Sequence, residues 1–221
     1  MPIEPPGGVL WDLDGTLADS SEHHFQAWRE ALAVRGHEHT TEEFARSFGK
    51  RNDLILHDLL GSGLSAEEAS RIAEDKERRF RRLVRERGLR PLPGVGEWLE
   101  TLRAEGFRQA LASSAPPPNI EVSLEALGLD RYLDAIVSAD EVAHGKPDPA
   151  IFLEAARRLG VPPPRCIVVE DAPAGLEAAR RAGMKSVGIL SDHHPRLEAD
   201  VVVASLLDLP PGTLEALARG E

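Results

Sequence analysis

The chain has 221 residues, 42% hydrophobic and 29% charged, and its 37 Asp and Glu against 26 Lys and Arg leave a net charge of −11. This is the composition of a globular protein with one sizeable core, or one core and a small companion, and it excludes disordered and fibrous classes. A net-acidic chain is also a poor general binder of nucleic acid or anionic membrane, so any anionic ligand needs a local cluster of positive charge.

In chain order, Met1-Pro2-Ile3-Glu4-Pro5-Pro6 has neither the basic head nor the apolar run of a secretory signal. The first buried strand is predicted at Val9-Leu10-Trp11, running into Asp12-Leu13-Asp14-Gly15-Thr16. From about Ser20 to Arg90 the pattern is helical throughout, with Phe25-Trp28-Ala31-Leu32, Leu54-Ile55-Leu59 and Ile72-Lys76-Phe80-Leu83-Val84 as apolar stripes. Asp19 and Ser20 are expected to open the first of these helices, with Glu22 closing a capping box on Asp19. Seventy residues far exceed an ordinary crossover, so this stretch reads as a helical insertion with Pro91-Leu92-Pro93-Gly94 as its return linker.

Beyond it, strands are predicted at Gln109–Ala112, Ala135–Val137, Ile167–Val169, Val187–Leu190 and Val201–Val203. Helical patterns separate most of them, at Trp98–Leu102, Ile120–Leu127, Ile151–Leu159 and Leu176–Ala182. Short, wholly apolar strands alternating with helices imply a parallel sheet covered on both faces. The expected architecture is therefore α/β, a Rossmann-like parallel sheet over 1–18 and 92–221 with an all-helical cap over 19–91. Cys166, the single cysteine, excludes a disulfide framework and a thiolate metal cluster, and reads as a small core hydrophobe. No stretch approaches the ~20 apolar residues of a membrane span, so a cytoplasmic protein is expected.

Ligands of open α/β sheets gather at the carboxyl ends of the strands. Those ends carry Asp12 to Thr16, then Ser113-Ser114, then Gly145-Lys146-Pro147-Asp148 in a following loop, then Glu170-Asp171. Crowded carboxylates repel by roughly 4 kcal/mol per pair at 4 Å and an effective dielectric near 20. Asp12, Glu170 and Asp171 thus stay ionised together only around a divalent cation, and an all-oxygen donor set favours Mg²⁺. A phosphate added to this edge would be held by Lys146, the Ser113 hydroxyl, the backbone amides of the Asp14-Gly15-Thr16 turn and cations of the insertion.

The Asp-x-Asp-Gly-Thr-Leu-x-Asp-Ser motif at Asp12 to Ser20, with these companions, resembles the haloacid dehalogenase superfamily of phosphotransferases over nearly the whole chain. The likeness is greatest to the helical-cap branch that includes β-phosphoglucomutase and small sugar-phosphate phosphatases. The resemblance implies Asp12 as the nucleophile and Asp14 as general acid and base, with the Asp14 backbone carbonyl on Mg²⁺. It also implies Ser113 on a phosphate oxygen, Lys146 as the cation beside nucleophile and phosphate, and Glu170 and Asp171 as metal ligands. True dehalogenases lack the second aspartate, so Asp14 points to phosphoryl transfer. For Asp14 to donate a proton its carboxyl must be neutral, and the neighbouring Asp12 charge is expected to raise its pKa.

In the cap, Lys76 shares an apolar stripe and must either extend to solvent or meet an anion. His24 stands one turn before Trp28, and the resemblance places both His24 and Lys76 near the active site. Lys76 to Arg90 holds eight of the 26 basic residues, most off the stripe, and reads mainly as a solvated face. Arg51 and Asn52, with Ser114, Gly15 and Thr16, complete the candidate substrate-binding set. His193-His194 reads as a surface loop, and the remaining histidines show no metal-ligand spacing.

β-Phosphoglucomutase follows its second-motif serine with Ala-Ser-Lys-Asn, whereas this chain has Ser114-Ala115-Pro116-Pro117. The expected function is accordingly a Mg²⁺-dependent phosphatase of a small sugar or polyol phosphate, monomeric or dimeric. A phosphosugar mutase is the alternative, and a non-enzymatic phospho-receiver domain a distant third.

Overall fold

The computed structural model describes residues 5–61 and 63–221, so Met1 to Glu4 of the expected leaderless N-terminus lie outside the described residues. Six parallel strands form one sheet: β1 (Gly8–Trp11), β2 (Arg108–Ser113), β3 (Ala135–Ser138), β4 (Cys166–Glu170), β5 (Lys185–Ile189) and β6 (Val201–Val203). All six predicted strands are present. Their order is β3-β2-β1-β4-β5-β6, so the chain winds outward in one direction from β1 and in the other from β4. A crevice opens at the carboxyl ends of β1 and β4, where that winding reverses.

Alternation along the strands divides the core in two. On one face Val9, Trp11, Ile167 and Val169 pack with Leu99 and Leu102 of α5 (Val95–Ala104) and with Leu214 and Leu217 of α9 (Thr213–Ala218). On the other face Leu10, Cys166 and Val168 meet Phe152 and Ala155 of α7 (Ala150–Leu159) and Ala178 of α8 (Pro173–Arg181). Cys166 is fully buried, and burial pushes its thiol up to about 12, so it packs as a hydrophobe. Gln109, also fully buried in β2, accepts from the Trp11 indole at 3.1 Å and donates to the Leu99 carbonyl at 2.9 Å. Its amide is therefore satisfied on both sides.

Among the described residues, four helices lie between β1 and α5: α1 (Ser21–Ala33), α2 (Thr41–Ser47), α3 (Asn52–Leu60) and α4 (Ala66–Arg87). The sequence pattern missed α2, whose seven residues offer too few turns for a legible stripe. Trp28, Leu32, Phe44, Phe48, Ile55, Leu56 and Ile72 make a separate apolar cluster here. The base of the insertion nevertheless merges with the sheet's core, since Ala27, Phe80, Leu83 and Val84 pack with Leu13, Leu17 and Ala18. The two connecting strands run side by side, with Asp19 N–H on the Arg90 carbonyl (2.9 Å) and Leu92 N–H on that of Leu17 (3.1 Å).

Two local expectations change. Asp19 and Glu22 form no capping box at α1: Ser20 is its N-cap, and the Ser20 hydroxyl is spent on Asp14 at 2.6 Å. The capping boxes of the insertion are instead Thr40 with Glu43 and Ser65 with Glu68. Among the described residues no helix is long and apolar enough to cross a membrane.

Candidate active site

The carboxyl ends of β1 and β4, with the loop between β3 and α7, bring Asp12, Lys146, Glu170 and Asp171 together, each less than a tenth exposed. Lys146 Nζ donates to Asp12 Oδ1 at 2.5 Å and to Glu170 Oε1 at 2.7 Å, and the Ala172 backbone N–H takes Glu170 Oε2 at 2.7 Å. Burial would lower the pKa of Lys146, but the two carboxylates hold it well above its ordinary value. Burial together with Glu170 pushes Asp12 up to about 7, against the pull of Lys146. Asp171 is raised well above the ordinary range by burial, Glu170 and Asp12, and both its buried oxygens lack a hydrogen-bond donor among the described residues.

An undonated buried carboxylate in an acidic group is unstable unless a cation completes it. Asp12, Glu170 and Asp171 can each offer an oxygen within 4.8 Å of the others. Three oxygen donors of this kind fit a hard divalent cation. Each Glu170 oxygen already accepts one donor but keeps lone-pair capacity for a metal.

Two glycines make this packing possible. Gly15 has φ +86°, and a Cβ there would stand 2.2 Å from Asp171 Oδ2. A Cβ on Gly175 would stand 1.8 Å from Glu170 Oε1. Gly175 was missed as a site residue. Its signal was a glycine in the first turn of a helix that follows an acidic pair, where helix propensity alone disfavours it.

Asp14 lies two residues from Asp12 in a different electrostatic setting. His24 Nε2 is 3.0 Å from Asp14 Oδ1, and Lys76 Nζ is 2.9 Å from His24 Nδ1. Burial would raise Asp14, but His24, the Ser20 hydroxyl and Lys76 together bring it down to about 2. The expectation that the Asp12 charge would raise the pKa of Asp14 is therefore corrected: His24, Ser20 and Lys76 outweigh the neighbouring carboxylate.

Lys76 does meet an anion. It is 3% exposed, stands 3.0 Å from Glu77 Oε1, and lies over the rings of Trp28 and Phe80 at 5.3 and 5.7 Å. Glu77 also accepts from Asn52 Nδ2 at 2.6 Å and from Asn119 Nδ2 at 2.5 Å, the latter on α6 (Pro117–Leu127) of the sheet domain. Burial opposes ionisation of Glu77, yet Lys76, His24 and Asn52 hold its pKa below the ordinary value. Arg81, expected on the solvated face, donates to Asn119 Oδ1 at 2.8 Å, while Arg79 and Arg82 pair with Glu30 of α1.

These groups line a narrow cleft walled by Asp12, Asp14, His24, Asn52, Lys76, Glu77, Ser113 and Ser114. Trp28, Phe44, Phe48 and Ile55 supply its apolar side, which sequence reasoning had read only as helix stripe or not at all. The Ser113 hydroxyl accepts from Ala115 N–H at 3.1 Å. Lys146, Glu170 and Asp171 lie behind Asp12 outside the cleft lining, and so do three of the substrate-binding candidates. Thr16 is fully buried with its hydroxyl unpartnered among the described residues, and Gly15 borders Asp171. Arg51 packs over Gly145 and pairs with Asp53 at 3.3 Å. His193, expected on a surface loop, is half-buried and packs on Phe44 and Phe48 of the cap, with ring centroids 5.2 and 5.1 Å apart.

A family model described as haloacid dehalogenase-like hydrolase matches residues 7–183. The phosphorylated carbohydrates phosphatase of Thermotoga maritima is 36% identical over 202 residues, covering 88% of this chain and 91% of that protein. The β-phosphoglucomutase of Bacillus subtilis is 36% identical over 217 residues, 95% of this chain and 92% of that one. Among solved structures, β-phosphoglucomutase from Clostridium difficile superposes with a TM-score of 0.87 at 29% identity over 97% of both chains.

Proposed function

The chain belongs to the haloacid dehalogenase-like hydrolases, and on that premise we propose that it is a Mg²⁺-dependent phosphatase of a small sugar or polyol phosphate, working through an aspartyl phosphate on Asp12. The observation that carries this reading is the cleft itself, which opens on a Lys146-held Asp12 and on Asp14 at once. Asp12, Asp171, Glu170 and the Asp14 backbone carbonyl would hold the cation, which when bound neutralises the carboxylates and the phosphate oxygens.

Lys146 holds Asp12 through Oδ1, leaving the other oxygen to attack phosphorus. As that P–O bond forms, the ester P–O bond breaks, and the leaving alkoxide takes the proton of a neutral Asp14 carboxyl. Water then gives a proton to the Asp14 carboxylate and attacks phosphorus, releasing phosphate and regenerating the Asp12 carboxylate. The Ser113 hydroxyl and Lys146 ammonium steady the phosphoryl oxygens. A phosphate dianion entering beside Asp14 raises its pKa, in the direction its acid role requires. His24, whose Nε2 stands 3.0 Å from Asp14 Oδ1, is the group through which the cap would adjust that proton.

A mutase is the second reading, favoured by the 36% identity to a β-phosphoglucomutase. Against it, Ser114 is followed in the cleft floor by Ala115 and then by Pro116 and Pro117, which offer no side-chain donors for a second phosphate. Family membership sets the phospho-receiver reading aside. Phosphate release over a panel of sugar and polyol monophosphates, with Mg²⁺ and with chelator, tests the proposal. Release from several substrates that chelation abolishes is expected. Efficient conversion of β-glucose 1-phosphate to glucose 6-phosphate, primed with the bisphosphate and with little release, would overturn it.

A further inference from the structure

The histidines with no ligand spacing in the sequence include two that the fold brings onto one carboxylate. His37 Nε2 lies 3.2 Å and His39 Nδ1 3.3 Å from the same oxygen, Glu43 Oε2, and the three donor atoms are all within 4.8 Å of one another. A tetrahedral zinc site with bonds of ~2.0–2.1 Å has donor–donor edges of roughly 3.3–3.4 Å. Two of the three edges in this cluster already have that length.

A second feature sets the cluster apart from an ordinary surface ion pair. The His39 side chain is fully buried, packed near Phe25, Trp28 and Phe44; its Nε2 has no hydrogen-bond partner among the described residues, and its Nδ1 has the 3.3 Å approach to Glu43 Oε2 without well-aligned hydrogen-bond geometry. A buried imidazole so poorly satisfied is costly, and a metal on Nδ1 would give that nitrogen a strong partner. His37 and Glu43 are about a quarter exposed, leaving a route for the ion and room for water in its coordination sphere. The Thr40 backbone N–H donates to Glu43 Oε2 at 3.0 Å, the kind of outer contact that fixes a ligating carboxylate.

We propose that His37, His39 and Glu43 form a second metal site, in the cap, for a borderline divalent ion of which Zn²⁺ is the best fit, completed by water. Nitrogen donors separate it in selectivity from the all-oxygen cluster around Asp171. The bound ion would clip the loop after α1 to the first turn of α2. That helix carries Phe44 and leads to Phe48, both in the wall of the cleft, so the clip would steady a wall of the substrate pocket without touching the reacting atoms.

Calorimetric titration of Zn²⁺ into the full-length protein, kept in excess Mg²⁺, tests this, with Co²⁺ absorption as the coordination readout. One ion per chain is expected, with the ligand-field bands of a four-coordinate site containing nitrogen. His37→Ala and Glu43→Gln should each weaken binding at least about tenfold. Gln at position 43 preserves the capping box with Thr40, so Glu43→Gln separates lost coordination from lost folding, and its circular dichroism melt without Zn²⁺ should match that of the parent. Absence of binding to the parent protein would overturn the proposal. So would binding that both variants leave unchanged, since the ion would then sit on the acidic sheet edge.

Discussion

Asp12 and Asp14 are two residues apart on one loop, yet the two halves of the molecule pull them in opposite directions. The sheet surrounds Asp12 with burial and further carboxylates and raises it to about 7. The cap surrounds Asp14 with His24 and Lys76, joined by Ser20 of the connecting strand, and lowers it to about 2. As they stand these shifts oppose the proposed roles, an ionised Asp12 and a protonated Asp14; a cation beside Asp12 would lower the first and a phosphate dianion beside Asp14 would raise the second. The sheet edge concentrates negative charge that a cation and a phosphate must complete. In the proposed function, the cap would supply the positive charge that tunes the proton-transfer group and would wall the substrate. Chemistry and selection would thus be held by different elements, which meet through the loop after β1, the Glu77, Arg81 and Asn119 contacts, and His193 on Phe44 and Phe48.

If that division is right, the largest loss comes from the sheet edge. Asp12→Asn removes the attacking oxyanion and should lower kcat by roughly 10⁴-fold or more for every substrate accepted, because a nucleophile's loss is not compensated elsewhere. Comparable phosphate release by this variant, once purified to homogeneity, would place the nucleophile elsewhere. Gly15→Ala should follow closely. The added methyl strains a φ of +86° and meets Asp171 at 2.2 Å, so metal affinity should fall at least about tenfold along with activity, as loss of ligand orientation does. Titration of Mg²⁺ against activity would reveal it, and an unchanged Mg²⁺ midpoint would show that Asp171 lies outside the metal site.

The next effect is on stability and has a definite sign. Between its ordinary 3.8 and about 7, folded Asp12 keeps a proton that the unfolded chain has released. Stability of the metal-free protein therefore falls as pH rises through this window, with a ceiling of about 4 kcal/mol. Asp171 is displaced in the same direction. Asp14 behaves oppositely, its contribution being present above 3.8 and lost only as pH falls towards about 2. Thermal melts at pH 5 and pH 8, in chelator and in millimolar Mg²⁺, should show a Mg²⁺ increment in Tm that grows with pH. An increment independent of pH would mean that the cation does not bind among these carboxylates.

The same contrast governs how much was legible in the sequence. Asp12, Ser113, Lys146, Glu170 and Asp171 each follow a strand or its loop, and the crossover rule alone sends such residues to one edge. The six strands could be read because buried parallel strands are short, apolar and bounded by helices. The cap offered only stripes. Lys76 stood out because a lysine on an apolar stripe needs an explanation, but Glu77 beside it, and Asn119 after three prolines, carry no local signal. Their roles arise from packing between α4 and α6, residues 42 apart in the chain. His37, His39 and Glu43 were passed over for a related reason, since their convergence depends on the turn between α1 and α2. The direction of the Asp14 pKa shift was not legible because the groups that set it, His24 and Lys76, come from distant positions in the chain.

The smallest expected effect tests whether the halves are separable. Asn119 is buried on the sheet side and hydrogen-bonded to Glu77 of the cap. Asn119→Ala leaves Glu77 Oε2 without that donor in a buried place, a loss on the order of 1–3 kcal/mol. Glu77 would then lean more on Lys76, drawing it from His24 and weakening the pull on Asp14. Steady-state kinetics should show kcat/KM reduced by roughly 5- to 30-fold, with the acid limb of the pH–rate profile displaced and the Mg²⁺ midpoint unchanged. Asn119→Asp, which sets a second carboxylate against Glu77, should be worse than alanine. A parallel loss of Mg²⁺ affinity in Asn119→Ala would show instead that cap and sheet edge act as one unit, and that the opposite settings of Asp12 and Asp14 have a common origin.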